Sequence, residues 1–130
     1  MKKVRKIIVS IILLTAVFAV VGQNVNANYG SFKNVTVSET QLSKLVDKVK
    51  KTDTGKTTIT NFEAETSARV IVYFYLLNSS TNKIIYQWTQ WSDVTSNSVT
   101  SGAIEGQYYT LKAKLLDSAG SIRISGIFKP

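Results

Sequence analysis

The chain of 130 residues contains neither histidine nor cysteine. That removes the Ser-His-Asp triad, the thiolate nucleophile, the disulfide and the zinc site built from Cys and His. General acid–base chemistry is left to carboxylates. Glu63 and Glu65 are the closest pair in sequence. On a continuous strand they would share a face about 7 Å apart, a separation compatible with two-carboxylate hydrolysis of glycosidic bonds. The stretch from Glu63 to Ser67 reads instead as a solvated loop, where nothing raises a carboxyl to the range of a general acid. No catalytic residue is assigned. Asp53, Asp93 and Asp117 each fall in turn-forming sequence, where Asp caps its own turn. None belongs to the dense acidic pattern of a calcium loop, so no metal and no cofactor is expected. Gly55, Lys56 and Thr57 echo the end of a phosphate loop, but the earlier glycine and the following helix are missing.

Binding chemistry has better material. Residues 69–77 are β-branched, aliphatic and aromatic throughout and predict a central strand. Asn78 to Asn82 is a polar turn, and Lys83 to Trp91 returns as the second arm of a hairpin. Placing Phe74 opposite Tyr86 collects Val70, Val72, Phe74, Leu76, Ile84, Tyr86 and Trp88 on one face. A slip of one residue would send every side chain to the other side, so burial selects this face. The opposite face then carries Ile71, Tyr73, Tyr75, Ile85, Gln87, Thr89 and Trp91. Flat rings with amides and hydroxyls between them suit the stacking of sugar rings. Tyr73, Tyr75, Gln87 and Trp91 are the candidate ligand-binding residues. The competing expectation is that these aromatics are core, packed under another element.

The remaining elements must position that face. Val35 to Val37 reads as strand. Leu42, Leu45, Val46 and Val49 fall at i, i+3, i+4 and i+7, and Ser38 with Gln41 fits a capping box. The spacing predicts a short amphipathic helix over about 39–51, with a basic face at Lys44, Lys48 and Lys51. The competing reading is a strand 44–51 joined by Asp53 to Lys56 to a strand 56–62, whose alternation is poor because Leu45 and Val46 cannot both face inward. Ser92 to Ser101 is a polar connection with a short edge strand around Val94 and Val99. Tyr109, Leu111, Ala113 and Leu115 alternate with Thr110, Lys112 and Lys114, a half-buried strand. Asp117 to Gly120 is a turn, and Ile122, Ile124 and Gly126 alternate with Arg123 and Ser125 in the last strand. Gly126 marks a bulge or a close backbone approach. Short strands with a turn signal between each predict a mainly β fold, an antiparallel β-sandwich of Ig-like or jelly-roll-like type.

The first 27 residues stand apart. Lys2, Lys3, Arg5 and Lys6 precede an apolar run from Ile7 to Val21, and Val25 and Ala27 sit at the positions a signal peptidase reads. The run is short against the roughly 20 residues of a membrane span. A signal helix cleaved near Ala27, with secretion and a single domain over 28–130, is the expectation. The formal charge of the whole chain is +8. Half of it belongs to those four residues, so the remainder is mildly basic and a nucleic-acid reading of the whole-chain charge is set aside. The glycosylation patterns at Asn34 and Asn78 matter only in a eukaryotic secretory pathway.

The closing stretches, Gly106 to Lys114 and Ser121 to Pro130, resemble small exported proteins of Gram-positive bacteria. That resemblance covers about the last 25 residues, is a strand–turn–strand pattern, and implies location and fold. The sequence therefore predicts a secreted, non-enzymatic protein binding a glycan, wall polymer or protein at or outside the cell surface. The alternative is an exported antagonist of bacteriocin or toxin type.

Overall fold

The computed structural model describes residues 28–116 and 120–130. The expected signal segment, and the Asp117 to Ala119 part of the last turn, lie outside the described residues. Eight strands are present: β1 (Gly30–Ser38), β2 (Ser43–Lys50), β3 (Thr57–Glu65), β4 (Ile71–Asn78), β5 (Lys83–Trp91), β6 (Asn97–Val99), β7 (Tyr108–Leu115) and β8 (Ser121–Lys129). They form two four-stranded antiparallel sheets, β1-β8-β3-β6 and β2-β7-β4-β5. We call these the first and the second sheet. The pairing is nested. β1 pairs with β8, β2 with β7, β3 with β6 and β4 with β5, while β3–β8 and β4–β7 complete the sheets.

The core lies between the sheets, as alternation requires. Tyr109, Leu111, Ala113 and Leu115 of β7 and Val72, Phe74 and Leu76 of β4 face inward and are buried. They meet Ile59 and Phe62 of β3, Ile122, Ile124 and Phe128 of β8, and Val37 of β1. Phe62 sets its ring edge against Phe74 across the sandwich, centroids 5.8 Å apart, and Phe74 stacks on Trp88 at 5.4 Å. Gly126 is a close approach, as its sequence context suggested. A Cβ there would lie 2.8 Å from the Phe32 ring. Gly30 plays the same part where β1 passes over β2, with Val46 in the space a side chain would need.

Segment 39–51 is not a helix. Its residues Ser43–Lys50 form β2, and there is no helix among the described residues. The helical spacing comes from bulges. The register with β7 shifts between Lys44 and Val46 and again between Val46 and Val49. The extra residues set Val46 opposite Leu111 and Val49 opposite Tyr109, so two residues three apart turn toward the core and a strand imitates a helical stripe. Lys48 absorbs the second bulge with φ of 52°. Leu42, the first residue of the apparent stripe, lies outside the strand and is exposed.

Two further expectations are corrected. Glu63 to Glu65 is the end of β3, not a loop. The bulge at Asn61, with φ of 49°, keeps the strand going past Phe62. The β4–β5 register differs by two residues from the expected one. Phe74 faces Trp88, Leu76 faces Tyr86 and Val72 faces Gln90. A shift of two preserves the faces, so the inner and outer sets survive, except for Ile84. A bulge at Ile85 sets Ile84 opposite Leu77, where it is exposed. The turn is longer than the first register implied because Asn78 organises it. Its Oδ1 accepts from the Ser80 and Thr81 amides, and its carbonyl accepts from Asn82 N at 2.8 Å.

Candidate functional site

The second sheet presents its outer face without any described element over it. Antiparallel sheets commonly keep one face on the core and one in solvent. β4 contributes Ile71, Tyr73 and Tyr75 to this face, all half-buried, and β5 contributes Gln87, Thr89 and Trp91, all exposed. Tyr73 lies opposite Thr89, Tyr75 opposite Gln87 and Ile71 opposite Trp91. All four candidate residues read from the sequence thus share one surface. The expected cover over them, a helix or a second sheet, is not among the described residues.

On the other side of β4, β7 adds what the sequence reading did not include. Tyr73 lies opposite Lys114 and Tyr75 opposite Lys112. The Tyr73 and Tyr75 rings stack with centroids 4.8 Å apart and 21° between planes. Lys114 Nζ stands 6.0 Å from one centroid and 5.8 Å from the other. Two residues apart on one strand, the rings share a face and form a double platform flanked by ammonium groups. One row further, β2 pairs Lys44 with Lys112. Cations thus continue the row outward from the tyrosines.

Trp91 is used differently. The Arg69 guanidinium lies over its ring, 4.1 Å from the centroid, and Arg69 Nε donates to both oxygens of Asp93 at 3.1 and 3.0 Å. One ring face is therefore occupied by a cation held in place by a carboxylate. The indole is 40 % exposed and borders the tyrosine platform.

At the β2 end, Thr110 Oγ1 donates to Asp47 Oδ1 at 2.8 Å and shares a hydrogen bond with Ser79 Oγ at 2.8 Å. That hydrogen bond, then the Lys44 and Lys48 charges, hold the Asp47 carboxyl below its ordinary value despite an opposing desolvation effect. Asp47 is thus an ionised acceptor at the rim, not a proton donor.

The carboxylate pair lies on the outer face of the first sheet. Glu63 faces Ser125 and Glu65 faces Arg123. Both are exposed, and Glu65 accepts from Arg123 Nε at 3.0 Å. A depression of about 410 Å³ nearby is lined by Thr36, Glu65, Ser121, Ile122 and Arg123. It holds one carboxylate of the two, already paired with a cation.

Asp53 caps its own turn by accepting from Gly55 N at 2.9 Å. Its other oxygen meets Lys129 Nζ at 2.6 Å, and that hydrogen bond, then the one from Gly55, lowers its carboxyl pKa. Beside it, Lys51 is buried and donates to the carbonyls of Gly55 at 2.6 Å and Pro130 at 2.9 Å. This cluster ties the β2–β3 connection to Pro130, and both of its ammonium groups bond within the fold. Among the described residues no three His, Cys, Asp or Glu side chains gather as metal ligands would, and no helix is long and apolar enough to cross a membrane. No family model, no curated protein and no solved structure matches the chain.

Proposed function

We propose that this is a secreted, non-enzymatic binding protein that holds a polyanionic glycan or wall polymer at or outside the bacterial surface, on the outer face of its second sheet. The observation that carries the reading is the Tyr73–Tyr75 stack flanked by Lys112 and Lys114. Because the rings stack on each other, each keeps one π face and an edge for a sugar ring. The ammonium groups beside the rings offer charge-assisted hydrogen bonds to phosphate or carboxylate oxygens. Gln87 and Thr89 supply donors and acceptors for hydroxyls along the same rows. The lysines sharpen the ligand class from glycan in general to an anionic one. Export is the reading of the basic and apolar segment before Ala27.

We read the sandwich as jelly-roll-like rather than Ig-like. The nested pairing of first strand with last, second with seventh and so inward is that of one long antiparallel ribbon rolled into two sheets. Lectin domains use that architecture among others, but a fold does not assign a ligand, so the proposal rests on the face itself.

The test is cosedimentation of the purified protein with isolated Gram-positive cell walls, before and after their phosphodiester-linked polymers are stripped. Saturable binding that stripping abolishes, and that weakens as salt rises, is expected. Tyr73→Ala with Tyr75→Ala should weaken it about tenfold or more, the size of one or two lost stacking or cation–π contacts. Lys112→Gln with Lys114→Gln should flatten the salt dependence. Binding unchanged in both double variants would sink the proposal.

A further inference from the structure

The sandwich has four lateral strand edges, and three carry features that obstruct the addition of another strand. β1 has the bulge at Asn34 with Lys33 beside it. β2 has two bulges and carries Lys44, Lys48 and Lys50. β6 is three residues long. β5 differs. Past its bulge at Ile85, the run from Tyr86 to Trp91 has no charge, no proline and no glycine.

The atoms this edge offers follow from its ladder. Ser92 N donates to Val70 O at 2.8 Å, so pairs 72/90, 74/88 and 76/86 exchange hydrogen bonds with β4 and the alternate residues do not. Leu116 N donating to Ile71 O shows the same alternation from the β7 side. Gln87, Thr89 and Trp91 therefore aim their backbone groups away from β4. The Trp91 carbonyl accepts from Val94 N, which leaves Gln87 and Thr89 with both groups directed outward. The inner side of the same strand holds a second anomaly. Trp88 Nε1 and Gln90 Oε1 are buried with no hydrogen-bond partner among the described residues. Such groups are uncommon in native folds and call for an explanation.

We propose that β5 pairs with β5 of a second copy of this chain, antiparallel about a two-fold axis through Trp88. Gln87 then faces the partner's Thr89 and Thr89 the partner's Gln87, and these pairs exchange the outward backbone bonds. Tyr86 faces the partner's Gln90, which brings a phenol donor to the orphaned Oε1. Towards the strand ends the exposed Ile84 and Ile85 approach the partner's Trp91. Lys83 approaches the partner's Asp93, a carboxylate that Arg69 of its own chain already holds, so it meets an ion pair there. Each contact occurs twice, as an isologous interface requires. The choice of a second copy rests on this self-complementarity. The product is one eight-stranded sheet with both Tyr73–Tyr75 platforms on the same side. The pairing does not depend on what those platforms bind.

Sedimentation equilibrium of the purified protein over a wide concentration range reads the association. A reversible dimer is expected. Thr89→Pro removes an outward N–H that bonds nothing in the chain, and proline is tolerated on edge strands. That variant should be monomeric while Thr89→Ala still dimerises. Should Thr89→Pro fail to fold, Gln87→Lys with Thr89→Lys keeps the question open to measurement, because both sites are exposed. It sets like charges opposite each other and should weaken the dimer by about a hundredfold or more. A wild-type monomer at millimolar concentration, or a dimer indifferent to the substitutions, overturns the proposal.

Discussion

The two outer faces of this sandwich are built by the same alternation and differ in what they display. The first sheet shows solvent Thr58, Thr60, Glu63, Glu65, Arg123 and Ser125. Apart from the half-buried Ile127 this face carries short or charged groups, and its ion pairs, Glu65 with Arg123 and Asp53 with Lys129, neutralise themselves. The second sheet shows Tyr73, Tyr75, Gln87, Trp91, Lys112 and Lys114. Nothing in the packing of the core demands rings on that side, since Phe74, Trp88 and Leu76 already fill the inner one. The first sheet shows what a face with only a solubility requirement looks like in this chain. The second departs from it in the direction of recognition, with aromatic area and unneutralised cations in one place.

The largest effect that tests this contrast sits within one strand. Trp88 and Trp91 are three residues apart on β5 and face opposite ways, 9 % and 40 % exposed. Trp88→Ala should cost about 3–5 kcal/mol in urea unfolding, the range for a large aromatic deleted from a core. Trp91→Ala should cost under about 1 kcal/mol, as surface changes do. A Trp91 loss near 3 kcal/mol would mean the second outer face is covered core, and the contrast would collapse. A smaller effect concerns the first sheet. A double-mutant cycle on Glu65→Ala and Arg123→Ala should give a coupling of about 0.2–1 kcal/mol that fades with salt, as exposed ion pairs do. A larger, salt-resistant coupling would mark the depression beside Glu65 as a built site.

The smallest effect is pH dependence. The Asp47 and Asp53 carboxyls are both held below their ordinary value in the folded state. Each is held there first by a side-chain hydrogen bond, from Thr110 and from Lys129. Their contribution to stability is therefore complete above the unfolded value and is lost as pH falls through the folded one. With no histidine in the chain, unfolding midpoints should be flat from pH 5 to 8 and decline below about pH 4. Asp47→Asn and Asp53→Asn should each reduce the acid slope. A transition near pH 6 would contradict the assignment.

How much of this was legible in the sequence depends on the separation of the residues involved. β7 and β8 were readable because their alternation is unbroken and their inner residues follow one another at period two. The aromatic face was readable because Tyr73, Tyr75, Gln87 and Trp91 lie on one hairpin, and an error of two residues in register leaves faces intact. β2 was misread because two bulges inside eight residues turn a strand's pattern into a helix's. Lys112 and Lys114 were seen as outward on their own strand. Their place beside Tyr75 and Tyr73 was not, because the β4–β7 pairing joins segments far apart in the chain and no local signal announces it. The same holds for Arg123 and Glu65.

The nested pairing has a consequence in time. Only β4 and β5 are neighbours both along the chain and within a sheet, so their hairpin can close in microseconds. β1 must wait for β8, roughly ninety residues further along the chain, and folds dominated by such distant pairings are slow. Until β8 emerges, the first sheet has no strand at its centre to which β1 and β3 can attach. The first sheet therefore closes only when β8 is free to enter between β1 and β3.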